Sequence, residues 1–188
     1  MQTTETTATV ASPQDILSFW RAAGPDKWFT KDDAFDAEII ARFLPTYEAA
    51  AAEHLGAWEA TADTTLALAI VLDQFPRNMF RGSARAFAAD PVARGVAERA
   101  LARGYDQQVP SEERGFLYLP FMHSEDVAHQ ERCVALYQAL GNADNLKYAD
   151  IHLDIIRRFG RFPHRNSVLG RATTPEEQAF LDGGGFAG

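Results

Sequence analysis

The chain has 188 residues and a formal net charge of −8 at pH 7. At about 150 residues per domain, this length predicts one domain. Hydrophobic residues make up 46% of the chain and aromatic residues 11%, which suffices for one sizeable core and excludes a disordered chain. The single cysteine, Cys133, excludes a disulfide framework and a cysteine-based zinc site. The acidic balance argues against a nucleic-acid-binding protein, because such domains are usually basic.

The start of the chain and its hydropathy predict a soluble cytoplasmic protein. The first ten residues contain neither a positive region nor an apolar run, so they do not resemble a secretory signal. The longest apolar run, residues 66–72, is far shorter than the roughly 18 residues of a membrane helix. We therefore expect neither nucleic acid nor a membrane among the partners.

Apolar residues at helical spacing predict an all-α fold of about eight helices. A flexible arm is expected over residues 1–11 and a single helical domain over residues 12–186. Ser12 followed by Pro13 predicts the first helix start, since serine caps helices and proline favours their first position. The helices are expected at residues 12–24, 31–54, 61–75, 83–103, 111–119, 124–140, 142–159 and from 174 onward.

Prolines are expected to interrupt several of these helices, because proline lacks the N–H that an α-helix needs. Pro45 should bend or break the second helix, and helices should end at Phe75-Pro76 and Phe162-Pro163. The fourth helix is expected to restart at Asp90-Pro91. Short links between helices favour antiparallel neighbours, which predicts stacked helical hairpins. The expected core comprises Trp20, Phe43, Leu68, Ile70, Leu72, Phe116, Leu136, Leu153 and Ile156.

A short motif occurs twice in the chain, each time at a predicted helix end. Phe75-Pro76-Arg77-Asn78 and Phe162-Pro163-His164-Arg165-Asn166 each combine Phe-Pro with Arg-Asn, a few residues before a glycine. Two similar helix ends would explain the repeated motif, since arginines are favoured near the carbonyls at a helix C-terminus. The repeated motif also predicts that both segments flank one pocket.

Arginines concentrate around both motifs in this acidic chain. Residues 152–171 contain five arginines and one acid, and residues 73–85 contain three arginines and one acid. Because a guanidinium binds carboxylate or phosphate with a planar fork, this concentration predicts an anion site. The alternative is pairing within the chain, for example of Arg77 with Asp73 or of Arg158 with Asp154, four residues apart.

Histidines mark two further candidate positions. His123 precedes Glu125 and Asp126, and this cluster suits either an acid–base pair or the acidic first turn of a helix. His152 lies on the apolar face of its helix. It is expected to be either a hydrogen-bonded core group or a residue of the same candidate site. A metal site built from His123, Glu125 and His152 has no support from their spacing, and no particular cofactor is indicated.

Three segments carry a resemblance to a known family. LDQFPRNMFRG at residues 72–82, YLPFMHSED at residues 118–126 and the segment 152–170 resemble the signature of a bacterial family described as domain of unknown function 924. Residues 176–186 also resemble the end of that family, so the resemblance covers about residues 12 to 186. It implies an all-helical, tetratricopeptide-like fold, in agreement with stacked hairpins, and it implies no activity.

Two functions from different classes remain open. The first is a polar pocket for a small anionic ligand bearing phosphate or carboxylate, with catalysis undecided. The second is a helical scaffold that binds a protein segment in its groove. For the pocket, the candidate catalytic residues are His123, Glu125 and His152, with Asp126 as another partner for His123. The candidate ligand-binding residues are Asp73, Arg77, Asn78, Arg161, His164, Arg165 and Asn166.

Overall fold

The computed structural model describes residues 9–186, and all regular structure in this range is helical. Eight of its α-helices have eight or more residues. The α-helices are α1 (Pro13–Ala23), α2 (Pro25–Trp28), α3 (Asp33–Ala51), α4 (Ala62–Ala69), α5 (Phe75–Met79), α6 (Asp90–Ala102), α7 (Gly115–Met122), α8 (Val127–Leu140), α9 (Ala143–Phe159) and α10 (Pro175–Asp182). Short 3-10 turns occupy Gly56–Ala60, Ala84–Phe87, Tyr105–Gln107 and Pro163–Arg165.

The predicted N-terminal arm falls largely outside the described residues. Its last part, from residue 9, is described, and the Ala11 N–H donates to Thr46 Oγ1 at 2.8 Å. The helix start at Ser12 is confirmed, because Ser12 and Asp15 form a reciprocal capping box. Thr174 and Glu177 form the same motif at the start of α10.

The centre of the molecule is one continuous helical run from Ala62 to Met79. It comprises α4, a π-helical turn over Ile70–Gln74, and α5. All residues from 65 to 76 are buried, on every side of the helix. α4 packs against α1 and α6, and α5 packs against α3. An apolar helix that is covered on all sides lies at the core of the fold.

The predicted helix break at Phe75-Pro76 is wrong. Pro76 has no N–H to offer the carbonyl four residues earlier, which a regular α-helix would leave unpaired. The π-helical turn accommodates this defect, since the Phe75 N–H donates to the Ile70 carbonyl, five residues back. The helix then continues to Met79. Such turns recur at functional positions, and this one carries Asp73.

The other prolines have different outcomes. Pro45 lies inside α3 and Pro120 inside α7, and both helices run through without interruption, so burial of the surrounding residues outweighs the local cost of proline. The expected restart at Asp90 is confirmed as the first residue of α6. The break before Pro163 is also confirmed, because α9 ends at Phe159 and Gly160 adopts a left-handed conformation at φ 68°.

The hydrophobic core has two parts. A large cluster joins α1 to α8, and a smaller one around Ile155, Ile156 and Phe162 joins α9 to α10. All residues of the predicted core are buried except Leu136, which is half-buried because Cys133 and Tyr137 occupy the inward face of α8. None of the helices within residues 9–186 combines the length and apolarity needed to cross a bilayer.

We expect Phe75→Ala to be among the most damaging substitutions. Phe75 has no exposed surface, and its ring lies 5.1 Å from that of Phe43 and 5.7 Å from that of Trp20. Its truncation should lower the free energy of unfolding in urea by about 3–5 kcal/mol. Phe29→Ala is the matched control, since Phe29 is 66% exposed and should lose only about 0.5 kcal/mol. Equal losses in the two variants would contradict the central placement of this helix.

Candidate functional site

A buried carboxylate lies in the middle of the central helix. Asp73, on the π-helical turn, has no exposed surface. Gln74 Nε2 donates to its Oδ2 at 2.7 Å, and His123 Nδ1 lies 2.7 Å from its Oδ1. The Arg77 guanidinium approaches the same carboxylate at 3.5 Å. Burial works against the charge of Asp73, but His123 and Arg77 outweigh it and hold the pKa of Asp73 below its usual range.

Asp73 determines the state of His123, which caps the C-terminus of α7. Burial and the nearby Arg77 guanidinium lower the pKa of His123, so its imidazole is neutral at pH 7. Because the ionised Asp73 can only accept, Nδ1 carries the proton and Nε2 carries the lone pair. Nε2 forms no hydrogen bond with any of residues 9–186, and the His123 side chain is 14% exposed.

The network of charged side chains continues from Arg77 to the opposite side of the site. Arg77 donates two hydrogen bonds to Asp90, at 2.9 and 3.0 Å. Asp90 is the first residue of α6, where the helix dipole favours a negative charge. Arg165 Nη1 lies 3.5 Å from Oδ2 of Asp90 and forms an ion pair with it. Asp90 therefore joins the two arginines of the two Phe-Pro motifs.

Arg165 is the most unusual arginine of this group. Its side chain is 8% exposed, and its guanidinium lies 4.4 Å from the ring centre of Phe87 and 4.5 Å from that of Phe162. It donates no hydrogen bond to any of residues 9–186, and its Nε is buried without a partner. Burial and the neighbouring Arg77 lower the pKa of Arg165 to about 10, which still leaves it charged at pH 7.

These groups border an open cleft of about 250 Å³. One wall comes from the turn before α6 and the start of that helix, and the other from the segments after α7 and α9. Arg94 also borders the cleft and forms neither an ion pair nor a hydrogen bond within the described range. The cleft is lined by Ala84, Phe87, Ala88, Asp90, Pro91, Arg94, His123, Ser124, Glu125, Arg165 and Leu169.

Glu125 lines the cleft but is engaged in holding its wall. Arg171 donates to both of its oxygens, at 2.7 and 3.0 Å, and the Phe162 N–H donates to Oε1 at 2.8 Å. Burial opposes its charge, but these hydrogen bonds outweigh it and keep the pKa of Glu125 below its usual range. Glu125 thereby ties the segment that carries Arg165 to the start of α8. Asp126 accepts the Ala128 N–H as the N-cap of α8.

Arg161 and Asn166 belong to a neighbouring structural cluster. Arg161 donates to both oxygens of Glu177 at 2.6 and 2.8 Å, and Asn166 Nδ2 donates to the same carboxylate at 3.1 Å. Asn166 also accepts from Arg171. These contacts anchor α10 to the segment that follows α9.

Asn78 lies in a third place. Its Nδ2 donates to Asp36 at 2.7 Å, and Arg81 binds the same carboxylate, so this part of the first Phe-Pro motif ties α5 to α3. Of the pairings expected within the chain, Arg77 with Asp73 and Arg158 with Asp154 are both present at 3.5 Å.

His152 and His164 pack against the aromatic rings of Phe162 and Phe186. Burial lowers the pKa of His152 to about 3 and that of His164 to about 4. His152 Nδ1 donates to the Tyr148 carbonyl at 2.7 Å within α9. Within residues 9–186, no three side chains of His, Cys, Asp or Glu are grouped as metal ligands.

The structure thus brings together five of the ten candidate residues. His123, Glu125 and Arg165 line the cleft, and Asp73 and Arg77 lie directly behind it. The other five candidates are Asn78, His152, Arg161, His164 and Asn166, and they lie in the three surroundings just described. The carboxylate that fixes the His123 tautomer is Asp73, not Glu125 or Asp126.

Sequence reasoning missed Phe87, Asp90 and Arg94. The sequence marks Asp90 only as a helix start, because an acid before proline is common there. No local signal connects position 90 with position 77 or 165, since the contact arises from the packing of α6 against the central helix.

The buried histidines predict a pH dependence of stability. Because their pKa values are lower in the folded than in the unfolded chain, where histidine titrates near pH 6.5, the unfolded chain binds more protons in acid. Stability is complete above that pH and falls as the pH decreases, by roughly 1.4 kcal/mol per pH unit for each such histidine. In urea unfolding between pH 4 and 8, the free energy of unfolding of His152→Phe should decline less steeply with falling pH, because the contribution of one histidine is removed.

His54→Phe, at an exposed position after α3, is the control and should keep the wild-type slope. An unchanged slope in His152→Phe would show that this histidine is not buried in the neutral state.

The comparisons with known proteins agree with this architecture. A protein of unknown function from Agrobacterium tumefaciens, ATU0120, has a solved structure that matches with a TM-score of 0.89 and 51% sequence identity, over 91% of this chain and 97% of that one. No curated protein matches the chain. Residues 16–185 match the family described as "Bacterial protein of unknown function (DUF924)". Because this match spans nearly all of the described residues, the chain belongs to the DUF924 family of bacterial proteins.

Proposed function

We propose that the cleft binds a small anionic ligand, bearing phosphate or carboxylate, through Arg165. The observation that carries this proposal is the free hydrogen-bonding capacity of a buried guanidinium. Arg77, Arg161 and Arg171 each hold a carboxylate through two hydrogen bonds. The side chain of Arg165 donates none within residues 9–186, although it is only 8% exposed.

An unpaired buried donor is costly, at about 1–3 kcal/mol and more for a charged group. An anion in the cleft would supply the missing acceptors, and the flanking rings of Phe87 and Phe162 already hold the guanidinium plane in place. A preorganised group of this kind loses little entropy on binding. The unfavourable environment of Arg165 therefore favours a role in ligand binding over a role in stability.

The balance of charges around the cleft also favours a negatively charged ligand. The guanidiniums at the cleft and its walls are those of Arg77, Arg94, Arg165 and Arg171. The carboxylates are those of Asp73, Asp90 and Glu125, and His123 is neutral at pH 7. One positive charge remains uncompensated, in a chain whose net charge is −8. The volume of about 250 Å³ fits a small molecule, since pockets for drug-sized ligands begin at about 300 Å³.

The second candidate function is a tetratricopeptide-like scaffold that binds a peptide in a groove between stacked helices. α7, α8 and α9 do pack in sequence, each against the next. However, the large exposed hydrophobic residues of the described chain belong to separate segments: Val10, Phe29, Ile40, Val127, Tyr148 and Leu169. Single exposed residues of this kind are ordinary on a protein surface. The buried Arg165, which donates no hydrogen bond within residues 9–186, favours the small-ligand function.

Arg165→Met tests the proposal. Phosphate, sulfate or malonate should raise the melting temperature of the wild-type protein, because a ligand that binds only the folded state stabilises it by mass action. Arg165→Met should lose this response. Its ligand-free stability should change by less than about 1 kcal/mol, since the substitution also removes a buried charge without a hydrogen-bonded partner, and Asp90 keeps its two hydrogen bonds from Arg77.

Arg158→Met is the matched control, because Arg158 is half-exposed and forms an ion pair with Asp154 away from the cleft. It should keep the full anion response. An anion shift of equal size in Arg165→Met, or no shift in the wild-type protein with any of the three anions, would contradict the proposal.

A further inference from the structure

A second arginine with free hydrogen-bonding capacity at the cleft indicates which class of anion it binds. Arg94 and Arg165 border the same cleft, and neither side chain donates a hydrogen bond to residues 9–186. A carboxylate carries one charge and is satisfied by one guanidinium fork. A phosphate monoester carries close to two charges and three acceptor oxygens at pH 7. Two arginines that donate no hydrogen bond to a carboxylate of the described chain therefore suit a phosphate monoester.

His123 gives the same cleft an imidazole nitrogen without a hydrogen-bonding partner in the described chain. Its neutral ring donates Nδ1–H to Asp73 at 2.7 Å, which leaves the Nε2 lone pair without a partner in the described chain. A side chain oriented by a buried carboxylate is the usual arrangement of an activated catalytic group. Asp73 is itself fixed by Gln74 and Arg77, so the imidazole is held rigidly.

Resting on the anion binding proposed above, we infer that the cleft hydrolyses small phosphate monoesters through a phosphorylated His123. The Nε2 lone pair forms a bond to phosphorus while the bond from phosphorus to the leaving alkoxide breaks. The alkoxide takes a proton from water and departs as an alcohol. The resulting hydroxide attacks phosphorus, the N–P bond breaks, and phosphate leaves with the ring restored.

The neighbouring groups have separate roles in this reaction. Arg165 and Arg94 bind the phosphate oxygens and neutralise charge as the bonds change. Asp73 stabilises the positive charge that the imidazole acquires when it is phosphorylated. Asp73 is thus a positioning residue, and His123 is the catalytic one.

The test incubates the full-length protein with p-nitrophenyl phosphate or phosphoramidate, followed by quenching in alkali and intact-mass measurement. We expect release of p-nitrophenolate and one phosphoryl group on the protein, stable in alkali, lost in acid and located on His123 by peptide mapping. His123→Asn should lose both the adduct and the turnover. His54→Asn, at an exposed position after α3, is the matched control and should keep both.

Two further variants separate catalysis from folding. Arg94→Gln, on the half-buried cleft wall, should raise KM for p-nitrophenyl phosphate more than it lowers kcat. Asp73→Asn should lower kcat by roughly 10⁴-fold and alter its pH profile, because an amide does not select the same imidazole tautomer. Melting curves of each variant report whether it is folded.

The outcomes distinguish this inference from the binding proposal. A phosphate-induced rise in melting temperature without adduct or turnover would overturn catalysis and leave anion binding intact. Turnover without an adduct, or an adduct on another residue, would overturn the covalent step. If phosphate does not raise the melting temperature of the wild-type protein and no adduct forms, both anion binding and catalysis are overturned.

Discussion

A carboxylate without exposed surface, Asp73, is the constraint on which the site depends. A charge in the most buried helix of the fold is tolerated only when it is paired and hydrogen-bonded. Asp73 therefore requires His123 and Arg77 beside it. Arg77 in turn binds Asp90, and Asp90 brings Arg165 to the same cleft. One polar position in the core thus connects α4–α5, α6, α7 and the segment after α9.

The site combines strong and weak contacts in a way that separates structure from function. Doubly hydrogen-bonded carboxylates hold the walls, with Arg171 on Glu125 and Arg161 on Glu177. Arg165 lies within this firmly held frame but has no hydrogen-bonding partner of its own among the described residues. Functional groups are often kept in environments that cost stability, since full pairing inside the protein would leave nothing for a ligand. Arg165 and His123 Nε2 fit that pattern.

Local patterns in the sequence determined the helical class and many element ends. Ser12 and Thr174 start helices because their hydroxyl oxygens satisfy backbone N–H groups within the next turn. Gly160 ends α9 because glycine adopts a left-handed conformation without strain. The concentration of arginines around Arg77 and Arg165 indicated an anion site, and both residues do meet at Asp90. The helix starts and ends follow from the sequence because each depends on residues within a few positions of one another, whereas the anion site stays a prediction.

Only the tertiary structure decided which polar groups meet. Asp73 and His123 are 50 residues apart, and no local rule distinguishes Asp73 from Glu125 or Asp126 as the partner of the imidazole. Packing also overrode the prediction at Pro76, because a π-helical turn kept the buried helix continuous. It dispersed Asn78, His152 and Asn166 into separate surroundings, although sequence spacing had grouped them. Side-chain convergence depends on long-range packing, which minimises exposed apolar surface and unpaired buried charge across the whole chain.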